Sequence, residues 1–352
     1  MPDTRPGSNF VDGVCGACRN FKTREGVNWK ARDRELGEIL DEFRAPVDTV
    51  GYDCIIPVSG GKDSHRLVKE MTERGMHPLL VTVTDSFSHT TAGEENLRNL
   101  ITRYSLNHWQ YTINHDLFVR ATRWAFEQTG EALKFVEYAI YTVPFMLAQK
   151  LGIGLVVYGE NSAFEYGSTD TNDYVANPHI NAMIRQMEHD YQFWDNGGIT
   201  RDEVDSIKPR PMDYPLVLYM GYFIPWSSVE NYKIAKKLGF KDLTGEWDRK
   251  GTIENFEQID SYAYMIHLWL KYPKFGFQRV SDIASRRVRE GLMKLDEAKH
   301  LIDTNDFLID PEALEDFCAT CGYTVSEFWE IVHNAPWNNY FGRGKDGRRL
   351  AG

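Results

Sequence analysis

The chain has 352 residues, 42% of them hydrophobic and 13% aromatic, and carries a net charge of −11. This suffices for one large or two ordinary folded domains, while the acidic balance counts against a nucleic-acid partner and against an anionic membrane surface. No run approaches the roughly 20 apolar residues of a membrane span, and the opening Met1-Pro2-Asp3-Thr4-Arg5-Pro6 lacks the apolar core of a signal peptide, so a cytoplasmic protein is expected.

Residues 1–30 are turn-rich and hold Cys15 and Cys18, in the manner of a zinc knuckle. The spacing of Leu36, Ile39, Leu40 and Phe43 predicts a helix over 31–43, so 1–45 reads as a cysteine-containing N-terminal segment. Strands and helices then alternate over 46–165. Strands are expected at 52–58, 78–84, 109–112 and 154–158, with helices at 64–74, 92–104, 117–128 and 135–150. Such alternation argues for an α/β fold, a Rossmann-like parallel sheet covered by helices on both faces. Residues 166–215 are polar and aromatic with few periodic segments, and loops this long are usually functional. From Leu216 the chain turns helical, with segments expected at 229–238, 258–271, 280–290, 294–302, 311–317 and 325–332. The resulting division places substrate-binding loops at 166–225 and a helical C-terminal region at 226–352.

The first strand carries the strongest chemical signal. Tyr52-Asp53-Cys54-Ile55-Ile56-Pro57-Val58 runs directly into Ser59-Gly60-Gly61-Lys62-Asp63-Ser64. Paired glycines let the backbone turn tightly and approach a ligand. The helix N-terminus behind them presents N–H groups and the positive end of a dipole, which suits phosphate. Ser59 and Ser64 add hydroxyls, Lys62 adds charge, and Asp63 can hold the Mg²⁺ that accompanies a nucleotide. The spacing differs from G-x-x-x-x-G-K-[ST]. The plainer alternative is a glycine turn closing a strand, with a solvated Lys-Asp.

Ligands of such sheets bind at the carboxyl ends of the strands, where two further loops emerge. Thr84 and Asp85 leave the second strand and are placed against adenine and ribose. Gly159 leaves the fourth, and behind it Glu160, Asn161, Glu165 and Tyr166 offer carboxylates, an amide and a phenol to an acceptor. Lys274, Arg279 and Arg286 make a basic patch in an acidic chain, either a solvated helix face or a clamp for substrate anions. Four of the five cysteines form C-x-x-C pairs, Cys15/Cys18 and Cys318/Cys321. Four thiolates suit one tetrahedral structural Zn²⁺ if the chain ends meet, redox chemistry and ordinary free thiols being the alternatives. Cys54, alone in an apolar strand, reads as a small core residue.

Together these features resemble the N-acetyl sugar amidotransferase family of the PP-loop ATP pyrophosphatase superfamily, associated with lipopolysaccharide and nonulosonic-acid biosynthesis. The resemblance rests on Met1 to Pro6, Gly13 to Cys18, Tyr52 to Ser64, Gly159 to Gly167, Pro225-Trp226 and Lys274 to Arg289. Family members often carry a further C-x-x-C just ahead of the Met-Pro-Asp segment, with which this sequence opens. The resemblance implies a PP-loop ATP-binding domain over 46–165. It also implies an ATP-dependent ligase that turns the acetamido group of a nucleotide-linked N-acetyl sugar into an acetamidino group through an adenylated intermediate, releasing pyrophosphate and AMP. Lys62, Asp63, Glu160 and Glu165 become the expected catalytic residues, and ammonia is expected from separate glutaminase and channel-forming partners. The competing readings are a tRNA sulfurtransferase of the same superfamily, which would want a basic RNA-binding surface, and a non-catalytic nucleotide-binding subunit.

Overall fold

The computed structural model describes residues 2–45, 51–159, 167, 174–212 and 214–341. A two-stranded hairpin, β1 (Phe10–Val11) and β2 (Val14–Cys15), leads into α1 (Gly16–Thr23) and then α2 (Trp29–Phe43). Asn28 caps α2 by accepting from the Ala31 N–H. Leu36 and Leu40 of α2 are fully buried.

The centre of the molecule is a parallel sheet built from β3 (Cys54–Pro57), β4 (Pro78–Thr84), β5 (His108–Thr112), β6 (Leu155–Tyr158) and β7 (Leu216–Tyr219), in the order β5-β4-β3-β6-β7. Crossovers run through α3 (Lys62–Glu73) and α4 (Thr91–Tyr104), and β5 reaches β6 through α5 (His115–Thr129) and α6 (Lys134–Leu151). Thr90 and Asn114 cap α4 and α5, and Gly130 and Gly152 end α5 and α6 in left-handed conformation. These are the residue types that helix starts and stops require. The inner strands are continuous apolar runs because helices cover both faces. Cys54 and Ile56 join Leu36, Val68, Met71 and Leu100 on one side, and Ile55 joins Phe145, Ala148 and Ile180 on the other. Strand order reverses at β3, so the chain leaves β3 and β6 in diverging directions and a crevice opens at their carboxyl ends.

A third core ties the C-terminal helices to α5 and α6. Phe126 of α5 packs at 5.4 Å from Phe317 and 5.2 Å from Phe328, ring centre to ring centre. Fully burying each such ring contributes about 1.5–3 kcal/mol. This anchoring holds the segment before Tyr264 against the open end of the sheet.

The structure departs from the sequence expectations in three places. Helices Asn177–His189, Tyr191–Asn196 and Arg201–Asp205 stand where loops were expected, because Ile180, Ile184, Met187 and Trp194 have a buried face to fill. Leu216 opens a fifth strand, held at its start by Asn177, which accepts from the Val217 N–H at 2.8 Å and donates to the Pro215 carbonyl at 2.8 Å. Residues 258–263 are irregular, with Gln258 at φ +44°, and the helix expected from 258 begins only at Tyr264.

The shared zinc site is corrected. Among the described residues no three or more His, Cys, Asp or Glu side chains come together to hold a metal ion. Cys318 and Cys321 point into the third core, where burial pushes the Cys318 thiol up to about 11 and raises Cys321 as well. Cys15 and Cys18 instead flank the start of α1 and hydrogen-bond to each other, so neither pair supplies thiolates to the other. Burial opposes ionisation of Cys15, but the Cys18 N–H and thiol, with Arg289 nearby, hold it below the usual thiol value.

Candidate active site

β3 delivers the chain to the crevice and ends there in a short turn with no side-chain cap. Gly60 takes φ +89° and Gly61 is the N-cap of α3, so the helix begins at Lys62 rather than at Ser64. The turn is braced from within. The Ser59 hydroxyl accepts from the Gly61 N–H at 3.3 Å, and the Ser64 hydroxyl accepts from the Ser59 N–H at 3.1 Å. Behind it, buried His65 places Nδ1 3.0 Å from the Gly61 carbonyl and Nε2 3.2 Å from the Asn99 amide. Burial holds His65 below the usual histidine value, which suits a neutral ring that donates to Gly61 and accepts from Asn99.

Gly60 lies against α4. A Cβ there would sit 2.7 Å from the Leu97 backbone nitrogen, at a φ that disfavours any side chain. Gly60→Ala should therefore push the turn off α4 and weaken the ATP binding expected of this turn at least tenfold while the protein stays folded. Isothermal titration with a non-hydrolysable ATP analogue measures this directly.

Lys62 is 4% exposed and holds two carboxylates. Its Nζ lies 2.7 Å from Asp63 Oδ2 and 2.9 Å from Glu257 Oε1. The other oxygen of Asp63 accepts from the Asn231 amide at 2.7 Å. Glu257 also meets Arg279, the Ser228 hydroxyl and, at 2.7 Å, Arg286. The buried Lys62 is thus balanced by a glutamate that two arginines balance in turn. Arg249 supports this arrangement by donating to the Glu257 and Gln258 carbonyls at 2.8 and 3.0 Å.

A cavity of about 860 Å³ opens over the turn. Ser59, Gly61, Lys62, Asp63 and Ser64 form its floor, and Thr84 and Asp85 stand at the end of β4 as expected. His108 and Gln110 on β5, and Tyr141 and Tyr158, also line the cavity. The wall facing the turn is residues 256–261, zipped to the chain after β4. Thr90 N–H donates to the Asp260 carbonyl at 3.1 Å, Tyr262 N–H to the Ser88 carbonyl at 3.0 Å, and the Ser261 hydroxyl to Asp85 Oδ2 at 3.0 Å. Burial raises the Asp85 carboxyl, against the pull of His89, the Phe87 N–H and Ser261. Burial, then the charge of Asp85, pushes Asp260 up to about 6.

Of the other expected residues, the described ones do not line this cavity. Gly159 follows β6 and lies against Trp226, where a Cβ would lie 2.6 Å from the indole ring. Lys274 pairs with Glu131 at 3.1 Å, and Arg279 and Arg286 are engaged with Glu257. Glu160, Asn161, Glu165 and Tyr166 lie outside the described residues. Asp260 and Ser261 were missed because the sequence places them at the start of an expected helix, and Glu257 because it lies just ahead of that helix. The signal they carry is a short run of polar residues, Glu257-Gln258 and Asp260-Ser261, around the single apolar Ile259.

Residues 250–348 match a family model described as LPS biosynthesis protein WbpG-like, C-terminal domain, which bears out the resemblance to a lipopolysaccharide-biosynthesis family. No curated protein matches the sequence significantly. Among solved structures, an NMN synthetase from Francisella tularensis is similar, with a TM-score of 0.36 and 12% identity over 84% of this chain and 94% of that one. A predicted subunit of a tRNA methyltransferase from Methanocaldococcus jannaschii has a TM-score of 0.31 and 12% identity, over 62% and 85% of the two chains. An NH3-dependent NAD synthetase from Campylobacter jejuni has 0.30 and 15%, over 49% and 78%. Likenesses this slight carry no functional argument. No helix among the described residues is long and apolar enough to cross a membrane.

Proposed function

From a C-terminal segment that matches the WbpG-like proteins of lipopolysaccharide biosynthesis, we propose that this protein is an ATP-dependent amidotransferase of the PP-loop type. It converts the acetamido group of a nucleotide-linked N-acetyl sugar into an acetamidino group. The observation that carries the reading is the cavity itself. Its floor is a strand–turn–helix junction suited to pyrophosphate, and its facing wall comes from residues 256–261 of the matched segment.

An amide oxygen leaves poorly, so the sugar amide first attacks the α-phosphorus of ATP, and pyrophosphate departs. Lys62 and the first turn of α3 neutralise charge on the departing group. The lysine needs no reorganisation to do so, because Asp63 and Glu257 already hold it. Mg²⁺ takes one or two carboxylates plus phosphate oxygens, and Asp63, at the first turn of α3, is the residue that would hold it; the ion would supply Lewis-acid screening of the phosphates. Thr84 and Asp85 face the adenosine, while Glu160, Asn161, Glu165 and Tyr166 are assigned to the sugar, with Glu160 and Glu165 hydrogen-bonding the cationic amidine product. Arg279 and Arg286 act on substrate only through Glu257, and Lys274 is kept as an outer contact for the sugar-linked anion. Ammonia arrives from separate glutaminase and channel partners.

The test is pyrophosphate release from ATP in the presence of ammonium, screened against UDP-N-acetyl sugars and against tRNA. Release that depends on an N-acetyl sugar nucleotide is expected. Release that depends only on tRNA would replace this reading with the sulfurtransferase one.

A further inference from the structure

Asp260 stands on the cavity wall across from Lys62, beside Asp85, His89 and Ser261. The Ser59 hydroxyl is near enough to favour its ionised form, yet its Oδ1 is buried and accepts no hydrogen bond from the described residues. Asp85 is already satisfied by the Phe87 N–H at 3.0 Å and the Ser261 hydroxyl at 3.0 Å, with His89 Nε2 at 3.8 Å. A carboxylate with an unpartnered oxygen, on a residue that lines the cavity, is placed to take a donor from the ligand.

Resting on the amidotransferase reading, we infer that Asp260 is the proton shuttle of the second half-reaction. The lone pair of ammonia forms the new C–N bond at the adenylated imidate carbon, and the C=N pair moves onto the sugar nitrogen. Asp260 takes one proton from the incoming nitrogen and returns it to the sugar nitrogen. The C–O bond to AMP then breaks, its pair leaving on the phosphate oxygen, and the amidinium remains. Proton count and charge balance without any co-reactant beyond ATP and ammonia. A group titrating near 6 is matched to this work, since it both accepts and releases a proton near neutrality. Asp85 nearby raises that value, and Lys62, His89 and the Ser59 hydroxyl lower it.

The experiment separates the half-reactions. With ATP, Mg²⁺ and the UDP-N-acetyl sugar that supports wild-type turnover, Asp260→Asn should keep single-turnover pyrophosphate release within about threefold of wild type. Its ammonia-dependent amidine formation should fall by about 10² or more, the usual worth of a general base. In wild type, the rate of the second step per free ammonia should lose activity below pH ~6, where Asp260 protonates, and D260N should lack that limb. Unchanged amidine formation in D260N, or equal loss of both half-reactions, overturns the assignment and leaves the amidotransferase reading standing; equal loss would indicate a role in ATP activation. Transfer of the limb to Glu160→Gln or Glu165→Gln overturns it also. Should D260N fail to fold, the wild-type profile decides, because a second step flat between pH 5 and 7 excludes the shuttle. Wild-type protein with no sugar-dependent pyrophosphate release overturns the amidotransferase reading itself, and this assignment with it.

Discussion

Lys62→Ala should lower sugar-dependent pyrophosphate release by at least 10²–10³-fold, the range seen when one preorganised group facing developing charge is removed. The effect is expected in kcat more than in KM for ATP, because the β- and γ-phosphates carry more charge as they leave than they do within bound ATP. The substitution also strands Asp63 and Glu257, whose oxygens lie 2.7 and 2.9 Å from the ammonium. Glu257 retains Arg279 and Arg286, so the fold should survive. Steady-state kinetics with added Mg²⁺ tests the split, and an equal rise in KM with kcat preserved would show that Lys62 only binds the nucleotide. Lys62→Arg should rescue little, since a planar guanidinium does not fit a site shaped around a point charge.

Glu257→Ala should be the most destabilising single change near the site. Glu257 is 5% exposed and faces Lys62, Arg279 and Arg286. Removing it leaves three enclosed cations without their shared counter-charge. Breaking a buried ion pair from one side costs about 3–5 kcal/mol, and urea denaturation should read a loss of that order. Glu257→Gln keeps the volume and an acceptor for Ser228 and should lose less stability, but it leaves Lys62 with Asp63 alone. That variant should therefore lose activity out of proportion to stability. If E257Q matched wild type in turnover, Glu257 would be a structural salt bridge and not a support for the phosphate-loop lysine.

The match between sequence pattern and fold tracks the range of the forces involved. Periodic apolar residues at local spacing predicted α2, α4, α5 and α6 to within two residues of their bounds, and β4 to the residue. The turn after β3 was legible for the same reason. Gly60 and Gly61 declare a backbone conformation whatever surrounds them, and Lys62, Asp63 and Ser64 are adjacent in the chain. β7 was missed because Leu216-Val217-Leu218-Tyr219 is four residues long, and a short apolar run shows no period by which strand and helix differ. Only β6 beside it decides.

What the sequence by itself determined, then, is the parallel α/β frame and the Gly60-Gly61 turn at the end of its first strand. Tertiary structure alone decided what faces that turn. Glu257 and Asp260 are about two hundred residues from Ser59, and they reach it because C-terminal rings pack on α5 and α6 and the chain after β4 pairs with residues 259–262. The same packing sent Cys318 and Cys321 into an apolar core, though their spacing alone is that of metal ligands. Spacing within a pair is local, whereas a four-ligand site or a proton-transfer wall needs side chains from distant segments to converge. Convergence is settled by which apolar faces must be buried together, and no local motif records that.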